Sequence, residues 1–371
     1  MLNVGIECES IEGPESWGVG RVVKKILENI ASQPELAQEF KFFLFFKSHI
    51  PELPFLNNSI FVKKIIGTKS FSLYYYLLLP IKLWFQKNDI MFFPNYMLPI
   101  LFKGKSLVVL TEDIYYEINS GTLPFRYKMA YQIFSGWWAT NHATKVMTIS
   151  ETSKKEVARL FKIDPERIFV NTLGIDPPQK PTTNNQALPN NYILYVGQAF
   201  PRRRLKETML AFEIIASEQS DLQLIAIGKD KYTPPILEKL SQDINRRLGR
   251  EAIIYRDYVG EDELHVLYTK ARLLIYVSSK EAFGLPPLEA LSYGIPPVVA
   301  DSELNNEIYE GNAFLVRDPE SPESIAGTIK KALNDESMRQ EIIANAPGIL
   351  EKYTWQKHTE MFLKIIRQKN L

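Results

Sequence analysis

Residues 273–300, LLIYVSSKEAFGLPPLEALSYGIPPVVA, restrict the fold more than any other stretch of the chain. LLIYVSS and IPPVVA are short apolar runs of the kind a parallel sheet buries on both faces. LPPLEALSYG between them has the punctuation of a helix: Pro286 or Pro287 suits its first turn, and Gly294 suits its end, where left-handed backbone is needed. Strand, loop, helix and second strand in that order form the crossover unit of a doubly wound α/β sheet. The loop Glu281-Ala-Phe-Gly-Leu brings the backbone from a strand's C-terminal end to a helix N-terminus, where open N–H groups and the positive dipole end favour an anion such as phosphate. Gly284 lets that backbone approach a ligand closely. Glu281 lies just before the anion site and Glu289 is expected in the first turn of the helix. Neither carboxylate suits a phosphate, but each can accept two hydrogen bonds from a vicinal diol. A ligand with a diphosphate in the middle and diols on both sides is a sugar nucleotide. The competing reading is an ordinary capped helix in an α/β domain.

The pair Glu281 and Glu289, with seven residues between them in EAFGLPPLEALSYGIPPVVA, resembles the Glu-x7-Glu signature of the family 4 retaining glycosyltransferases. The resemblance implies an α/β chain of GT-B architecture, two Rossmann-like doubly wound domains facing across a cleft. It extends from Asn3 to about Trp355 and is most specific at 191–205 and 273–300. VGQAFPRRRLKETMLAF is similar to the family's VG-x3-PRKNL-x4-AF, which sets Gly197 in the donor site and Arg203 on the family's diphosphate-binding lysine. Arg202 shares that role. A guanidinium binds phosphate well, with a reach and geometry unlike those of an ammonium. By themselves, Arg202, Arg203 and Arg204 also read as a solvated surface cluster. GVGRVVKKI is similar to the family's first glycine-rich loop, and so Gly18 and Gly20 are donor-side residues of the cleft. A dinucleotide fingerprint there is incomplete, because the third glycine of G-x-G-x-x-G is missing.

The remaining apolar runs, FKFFLFF (40–46), SIFVKKII (59–66), DIMFFPNYMLP (89–99), SLVVLTEDI (106–114) and KVMTIS (145–150), read as parallel strands alternating with helices. Asn95 and the pair Glu112-Asp113 fall just past strand ends, the edge at which open α/β sheets hold ligands. The family has His-Asp where this chain has Glu112-Asp113, a departure that bears on sugar identity and on activity. Ser150, Thr152 and Ser153 are candidate caps for a helix after 150. Glu307 also reads as a cap. The expected division is an acceptor-binding domain at 1–175 and a Pro-rich polar linker at 176–191. A nucleotide-sugar domain follows at 192–355, with a terminal helix at 356–371 that crosses back onto the first domain.

Composition narrows the partners. The net charge of 371 residues is +1, which gives no reason to expect nucleic acid as a partner. The single cysteine, Cys8, excludes an intramolecular disulfide and fits a reducing compartment. The N-terminus reads as a buried strand rather than a signal peptide, and no apolar run reaches membrane-spanning length. FSLYYYLLLPIKLWF (71–85) reads either as a core helix or as a segment resting on a membrane surface.

No Asp-x-Asp triplet occurs, so no metal and no cofactor is expected. Leaving-group charge then falls to Arg203, Arg202 and the helix N-terminus after Gly284. The resemblance implies transfer, with retention, of a mannose-like hexosyl unit from a nucleoside-diphosphate sugar to a saccharide or lipid-linked acceptor of a surface polysaccharide. A GDP-sugar is favoured and a UDP-sugar remains open. Glu281, Arg203, Glu112 and Asp113 are the catalytic candidates. Gly18, Gly20, Gly197, Arg202, Arg203, Glu281, Phe283, Gly284, Leu285 and Glu289 are the donor-binding candidates, and Asn95 and Glu112 face the acceptor. The expected place is the cytoplasm, with peripheral contact at the inner face of the membrane. A catalytically silent binding subunit and a sugar-nucleotide epimerase are the alternatives.

Overall fold

A computed structural model describes residues 1–13, 18–116, 123–179 and 189–368. The expected linker therefore lies partly outside the described residues. The chain divides into two compact units, one of 1–114, 128–174 and 354–371 and the other of 115–127 and 175–353.

Seven strands build the sheet of the first unit: β1 (Leu2–Glu7), β2 (Phe40–Phe46), β3 (Phe61–Ile65), β4 (Ile90–Phe93), β5 (Ser106–Val109), β6 (Lys145–Thr148) and β7 (Ile168–Val170), in the order 3-2-1-4-5-6-7. All pairings are parallel, with Val4 opposite Phe42 on one side and Ile90 on the other. Both faces must then be covered, which is why these strands read as unbroken apolar runs. The helix Val19–Ala31 buries Val23, Ile26, Leu27 and Ile30 at helical spacing, and its opposite face meets solvent. The helix Trp355–Arg367 joins the same core, where the Phe362 ring lies 4.8 Å from that of Phe92. Complete burial of Phe362 contributes on the order of 2 kcal/mol.

Three polar side chains fix that terminal helix. The Lys145 ammonium donates to the carbonyls of Ile365 (2.6 Å) and Gln368 (2.7 Å), at the negative end of the helix dipole. The Asn171 amide donates to the His358 carbonyl at 3.1 Å. His358 Nδ1 lies 2.8 Å from the Thr172 carbonyl, so that nitrogen carries the proton, and burial lowers the imidazole to about 4, keeping the ring neutral. Gly174 is required where the chain leaves β7, because a Cβ there would sit 2.2 Å from the backbone nitrogen of Trp355.

In the second unit a six-stranded parallel sheet has the order 10-9-8-11-12-13, made of β8 (Tyr192–Val196), β9 (Gln223–Ile227), β10 (Ile253–Arg256), β11 (Leu274–Tyr276), β12 (Pro297–Ala300) and β13 (Phe314–Val316). Order reverses between β8 and β11, the switch point at which doubly wound sheets open a crevice beyond the strand ends. Gly228, at φ +150, is pressed against this edge. A side chain on it would lie 1.8 Å from the Gly197 carbonyl.

The segment 71–85 is helical, with a π turn at Tyr74–Leu78 in which the Leu79 N–H reaches the Tyr74 carbonyl. Pro80 has no N–H to continue the regular ladder, which accounts for the shift in that turn. Ser302 caps the helix Glu303–Tyr309 by accepting from the Asn305 N–H. The expectation that Glu307 is a cap is thus corrected, since Glu307 lies inside the helix and too far along it to reach the first N–H groups.

Candidate functional site

The edge beyond β8 and β11 gathers a largely buried cluster of charge. β8 ends at Val196, and Gly197, at φ +140, turns the chain into a loop that leads to a short 3-10 turn at Pro201–Arg203. β11 ends at Tyr276 and is followed by Ser278, Ser279, Lys280 and Glu281. The two loops are tied through the Arg202 carbonyl, which accepts from the Ser279 N–H at 2.8 Å.

Arg202 and Arg203 converge on Glu281. Arg202 Nη1 donates to Glu281 Oε1 (2.7 Å) and to the Lys280 carbonyl (2.6 Å). Arg203 Nε donates to the same Oε1 at 2.6 Å, its Nη2 to Oε2 at 3.4 Å, and its Nη1 to the Gln198 carbonyl at 3.0 Å. The Tyr276 hydroxyl adds a third close donor to Oε1 at 2.9 Å. Phe200 and Tyr276 hold the Arg203 guanidinium at 5.6 and 5.5 Å from their ring centres. Gly197 is small because this packing demands it: a Cβ would meet Tyr276 Cε2 at 3.1 Å and Arg203 Nη1 at 3.5 Å. The three charged side chains are only 10–17% exposed.

Burial alone would raise the Glu281 carboxyl, but the Arg203 and Arg202 charges outweigh it and hold Glu281 at about 2. Burial likewise works against the Arg203 charge, and Glu281 overcomes it and raises the guanidinium above its ordinary range. Both arginines and Glu281 are therefore ionised at neutral pH, with a net charge of +1 at the strand ends. Arg204, at φ +52, turns away to ion pairs with Glu320 and Glu207, so the arginine triplet divides between the site and the unit's surface.

The helix Leu285–Ser292 begins immediately afterwards, with Gly284 as its N-cap at φ +87. Pro286 and Pro287 have no N–H, which removes two of the four donors a helix start normally exposes. Donors for an anion are thereby concentrated on the amides of Phe283, Gly284 and Leu285. The Phe283 side chain is itself buried, edge-on to Tyr353 at 5.6 Å, and only its backbone is placed to serve a ligand. Glu289 is not in the first turn, contrary to the sequence expectation. Helical geometry starts at Leu285, leaving Glu289 in the second turn, where its Oε2 accepts from Tyr268 at 3.3 Å. Tyr268 stacks on Tyr293 at 5.4 Å, and the Tyr293 hydroxyl lies 2.6 Å from His265 Nδ1.

Four residues of this cluster escaped the sequence reading: Tyr276, Phe200, Ser278 and Tyr268. Tyr276 carried a usable signal, since a tyrosine closing a buried strand places its hydroxyl at the sheet edge. Nothing local marked the other three.

In the first unit, Gly18 is the N-cap of the helix Val19–Ala31 at φ +57, and Gly20 is buried in its first turn. Asn95 follows β4 and is half-buried, with its Oδ1 3.5 Å from the Tyr75 hydroxyl. Glu112 and Asp113 follow β5. Asp113 opens the short helix Asp113–Tyr116 and accepts from the Thr111 hydroxyl. Glu112 is 1% exposed and accepts from the Ser153 hydroxyl, which in turn accepts from Thr148 at 2.7 Å. Ser150 is the cap of the helix Glu151–Phe161 and takes the Ser153 N–H at 2.9 Å. Burial raises Glu112 to about 7 against the opposing pull of the Ser153 hydrogen bond. This carboxyl is turned onto Ser153 rather than presented at the surface.

Among the described residues no group of three or more His, Cys, Asp or Glu side chains is placed to hold a metal ion. No helix of the described residues is long and apolar enough to cross a membrane.

Residues 178–348 match the family described as Glycosyl transferases group 1. O-antigen chain mannosyltransferase B of Escherichia coli is 31% identical over 229 residues, which are 58% of this chain and 58% of that protein. O-antigen chain mannosyltransferase RfbU of Salmonella typhimurium (strain LT2) is 26% identical over 242 residues, 62% of this chain and 66% of its own length. The similarity thus spans less than two thirds of either relative. Among solved structures, WaaG, a glycosyltransferase involved in lipopolysaccharide biosynthesis, is 18% identical with a TM-score of 0.70, covering 99% of this chain and 100% of WaaG. That likeness concerns fold, and the fold is GT-B, two Rossmann-like parallel-sheet domains.

Proposed function

We propose, from the match of residues 178–348 to the Glycosyl transferases group 1 family, that this chain transfers a hexosyl unit from a nucleoside-diphosphate sugar to an acceptor hydroxyl. The observation that carries the reading is the pair Arg202 and Arg203, fixed at the strand ends immediately before a helix N-terminus whose donors are the Phe283, Gly284 and Leu285 amides. Fixed guanidinium charge and oriented amides stabilise a departing diphosphate without reorganisation during the reaction. The transfer is metal-independent in this reading, because protein cations meet the leaving group's charge.

Glu281 has two tasks here. It holds both guanidinium groups in place, and its Oε2, with one long contact at 3.4 Å, retains capacity for a sugar hydroxyl. Glu289, backed by Tyr268, takes the ribose diol. In the transfer step the anomeric carbon's bond to the β-phosphate oxygen breaks as its bond to the acceptor oxygen forms. The acceptor's proton passes to the departing phosphate, and configuration is retained by attack from the same face. A mannose-like sugar is favoured by the two mannosyltransferase relatives, and GDP is the carrier in this reading. The acceptor is a saccharide or lipid-linked chain, and the setting is synthesis of a surface polysaccharide on the cytoplasmic side.

A panel of GDP-, UDP-, ADP- and dTDP-sugars, assayed for nucleotide release in the presence of a chelator, tests this reading. Release from one donor, lost in Glu281→Ala, is expected. Failure of every donor to bind by calorimetry would overturn it. Binding without release in the presence of candidate acceptors would favour a catalytically silent subunit, a reading supported by the burial of Glu112 where the resembled family has histidine.

A further inference from the structure

Lys231 stands at the same sheet edge as the arginine pair, on the strand next to theirs. β9 ends at Ile227, and the ladder between β8 and β9 runs on past both strand ends. The Ala199 N–H donates to the Lys229 carbonyl at 2.9 Å, and the Ala199 carbonyl accepts from the Lys231 N–H at 3.2 Å. These two backbone hydrogen bonds fix residues 229–231 beside the loop of Phe200, Arg202 and Arg203. The Lys231 ammonium lies 6.0 Å from the centre of the Phe200 ring, on which the Arg202 and Arg203 guanidinium groups also converge, at 5.4 and 5.6 Å. One aromatic ring thus has three cations around it. Its quadrupole attracts each of them but supplies no net charge to balance their mutual repulsion.

Counter-charge is short at this edge. Glu281 is engaged by both arginines. Asp230, the carboxylate next to Lys231 in sequence, is occupied by backbone amides. Its Oδ1 accepts from the Tyr232 N–H at 2.8 Å, and its Oδ2 from the N–H groups of Ile236 and Leu237 at 2.7 and 2.9 Å, where the helix Leu237–Leu248 begins. Among the described residues no carboxylate lies within ion-pair distance of the Lys231 ammonium. Two guanidinium groups and one ammonium against one carboxylate leave a net charge of +2 at the ends of β8, β9 and β11. The diphosphate of a sugar nucleotide has one negative charge on each phosphate, and the terminal phosphate gains more when the sugar departs.

We infer that Lys231 is a third cation of the donor site, whose ammonium passes from the face of Phe200 to a phosphate oxygen of the bound diphosphate. The inference rests on the transferase reading and adds a residue to it. Arg202 and Arg203 are clamped by Glu281, whereas the Lys231 head group is a compact charge on a flexible four-carbon stem and can follow the phosphate as its charge grows. Lys231 therefore stabilises the departing diphosphate more than the intact donor, which is the condition for a gain in rate as well as in binding.

The test is calorimetric titration of GDP and UDP into the full chain, with a chelator present and at low and high salt, for wild type, Lys231→Gln, Lys231→Arg and Lys229→Gln. Lys231→Gln is expected to weaken nucleoside-diphosphate affinity about tenfold and to reduce its salt dependence. Lys231→Arg keeps the charge and should retain most of the affinity. Lys229 is exposed, and Lys229→Gln should change affinity by less than about twofold. A melting temperature within about 2 °C of wild type shows that each variant is folded, so that a loss of binding is not a loss of structure. Wild-type binding that Lys231→Gln leaves unchanged, or an equal loss in Lys231→Gln and Lys229→Gln, would overturn the inference and leave the transferase reading standing. Absence of any nucleoside-diphosphate binding by the wild type would overturn both.

Discussion

Replacing Glu281 with glutamine separates a structural role at the arginine pair from a role in sugar contact. The carboxyl moves from an ordinary 4.5 to about 2 in the folded chain, a depression of roughly 2.5 units. Stability from this source is fully present above the unfolded pKa and is lost as pH falls through the folded value. At pH 7 it amounts to about 3 kcal/mol, and at pH 3 about half of that remains. Glutamine keeps an acceptor for Arg203 but removes the charge, so Glu281→Gln should cost about 2–3 kcal/mol at pH 7. For a unit of this size that is a melting-temperature loss of roughly 5–10 °C. The gap between variant and wild type should narrow by pH 3. Affinity for a nucleoside diphosphate should move the other way, because the cluster's net charge rises from +1 to +2 with nothing but the carboxylate removed. Differential scanning fluorimetry at the two pH values, with calorimetric titration of GDP and UDP, reads both effects. A Glu281→Gln chain that melts within about 1 °C of wild type at pH 7 would refute the reasoning. So would one that loses diphosphate affinity, since it would show that the carboxylate, and not the arginines, sets that binding.

Other consequences are equally open to measurement. Gly174→Ala should destabilise the first unit by at least about 2–4 kcal/mol in urea unfolding, because the new methyl meets the backbone of Thr354 and Trp355 rather than a movable side chain. Glu112→Gln should flatten part of the stability profile between about pH 5 and pH 8: the raised carboxyl of the wild type favours folding below 4.5 and loses that contribution as pH rises through about 7. An unchanged slope in the variant would show that Glu112 titrates normally. Glu289→Ala should weaken nucleotide binding about tenfold with little change in melting temperature, and unchanged affinity in calorimetry would remove Glu289 from the ribose site.

Much of the architecture was legible in one dimension. Unbroken apolar runs of strand length, each followed by helix caps, specify parallel strands covered on both faces, and the two sheets are built of those runs. Gly284 and the prolines after it announced a helix start, for the steric and donor reasons that govern such positions. What local pattern could not settle was partner choice. Arg202, Arg203 and Arg204 are identical in sequence, and only the left-handed turn at Arg204 sends the third away from Glu281. The register of the helix start, one residue after Gly284, decided that Glu289 stands in the second turn.

The terminal helix and the segment 71–85 mark the same boundary. Amphipathic spacing shows that the helix at 355–367 has an apolar face, but Asn171, Lys145 and Gly174 determine where it lies, through contacts made 180 residues or more along the chain. In 71–85 the sequence contains enough apolar residues for either a core or a surface role. The fold assigns Tyr74, Tyr75, Leu79 and Leu83 to the core and leaves Trp84 and Phe85 in water. Sequence fixes which groups can form hydrogen bonds, charges or apolar contacts, because those are properties of single residues. Burial and pairing depend on what the rest of the chain brings within a few ångströms, and so the depressed Glu281, the raised Glu112 and the exposed Trp84 and Phe85 beside a buried tyrosine pair exist only in the folded molecule.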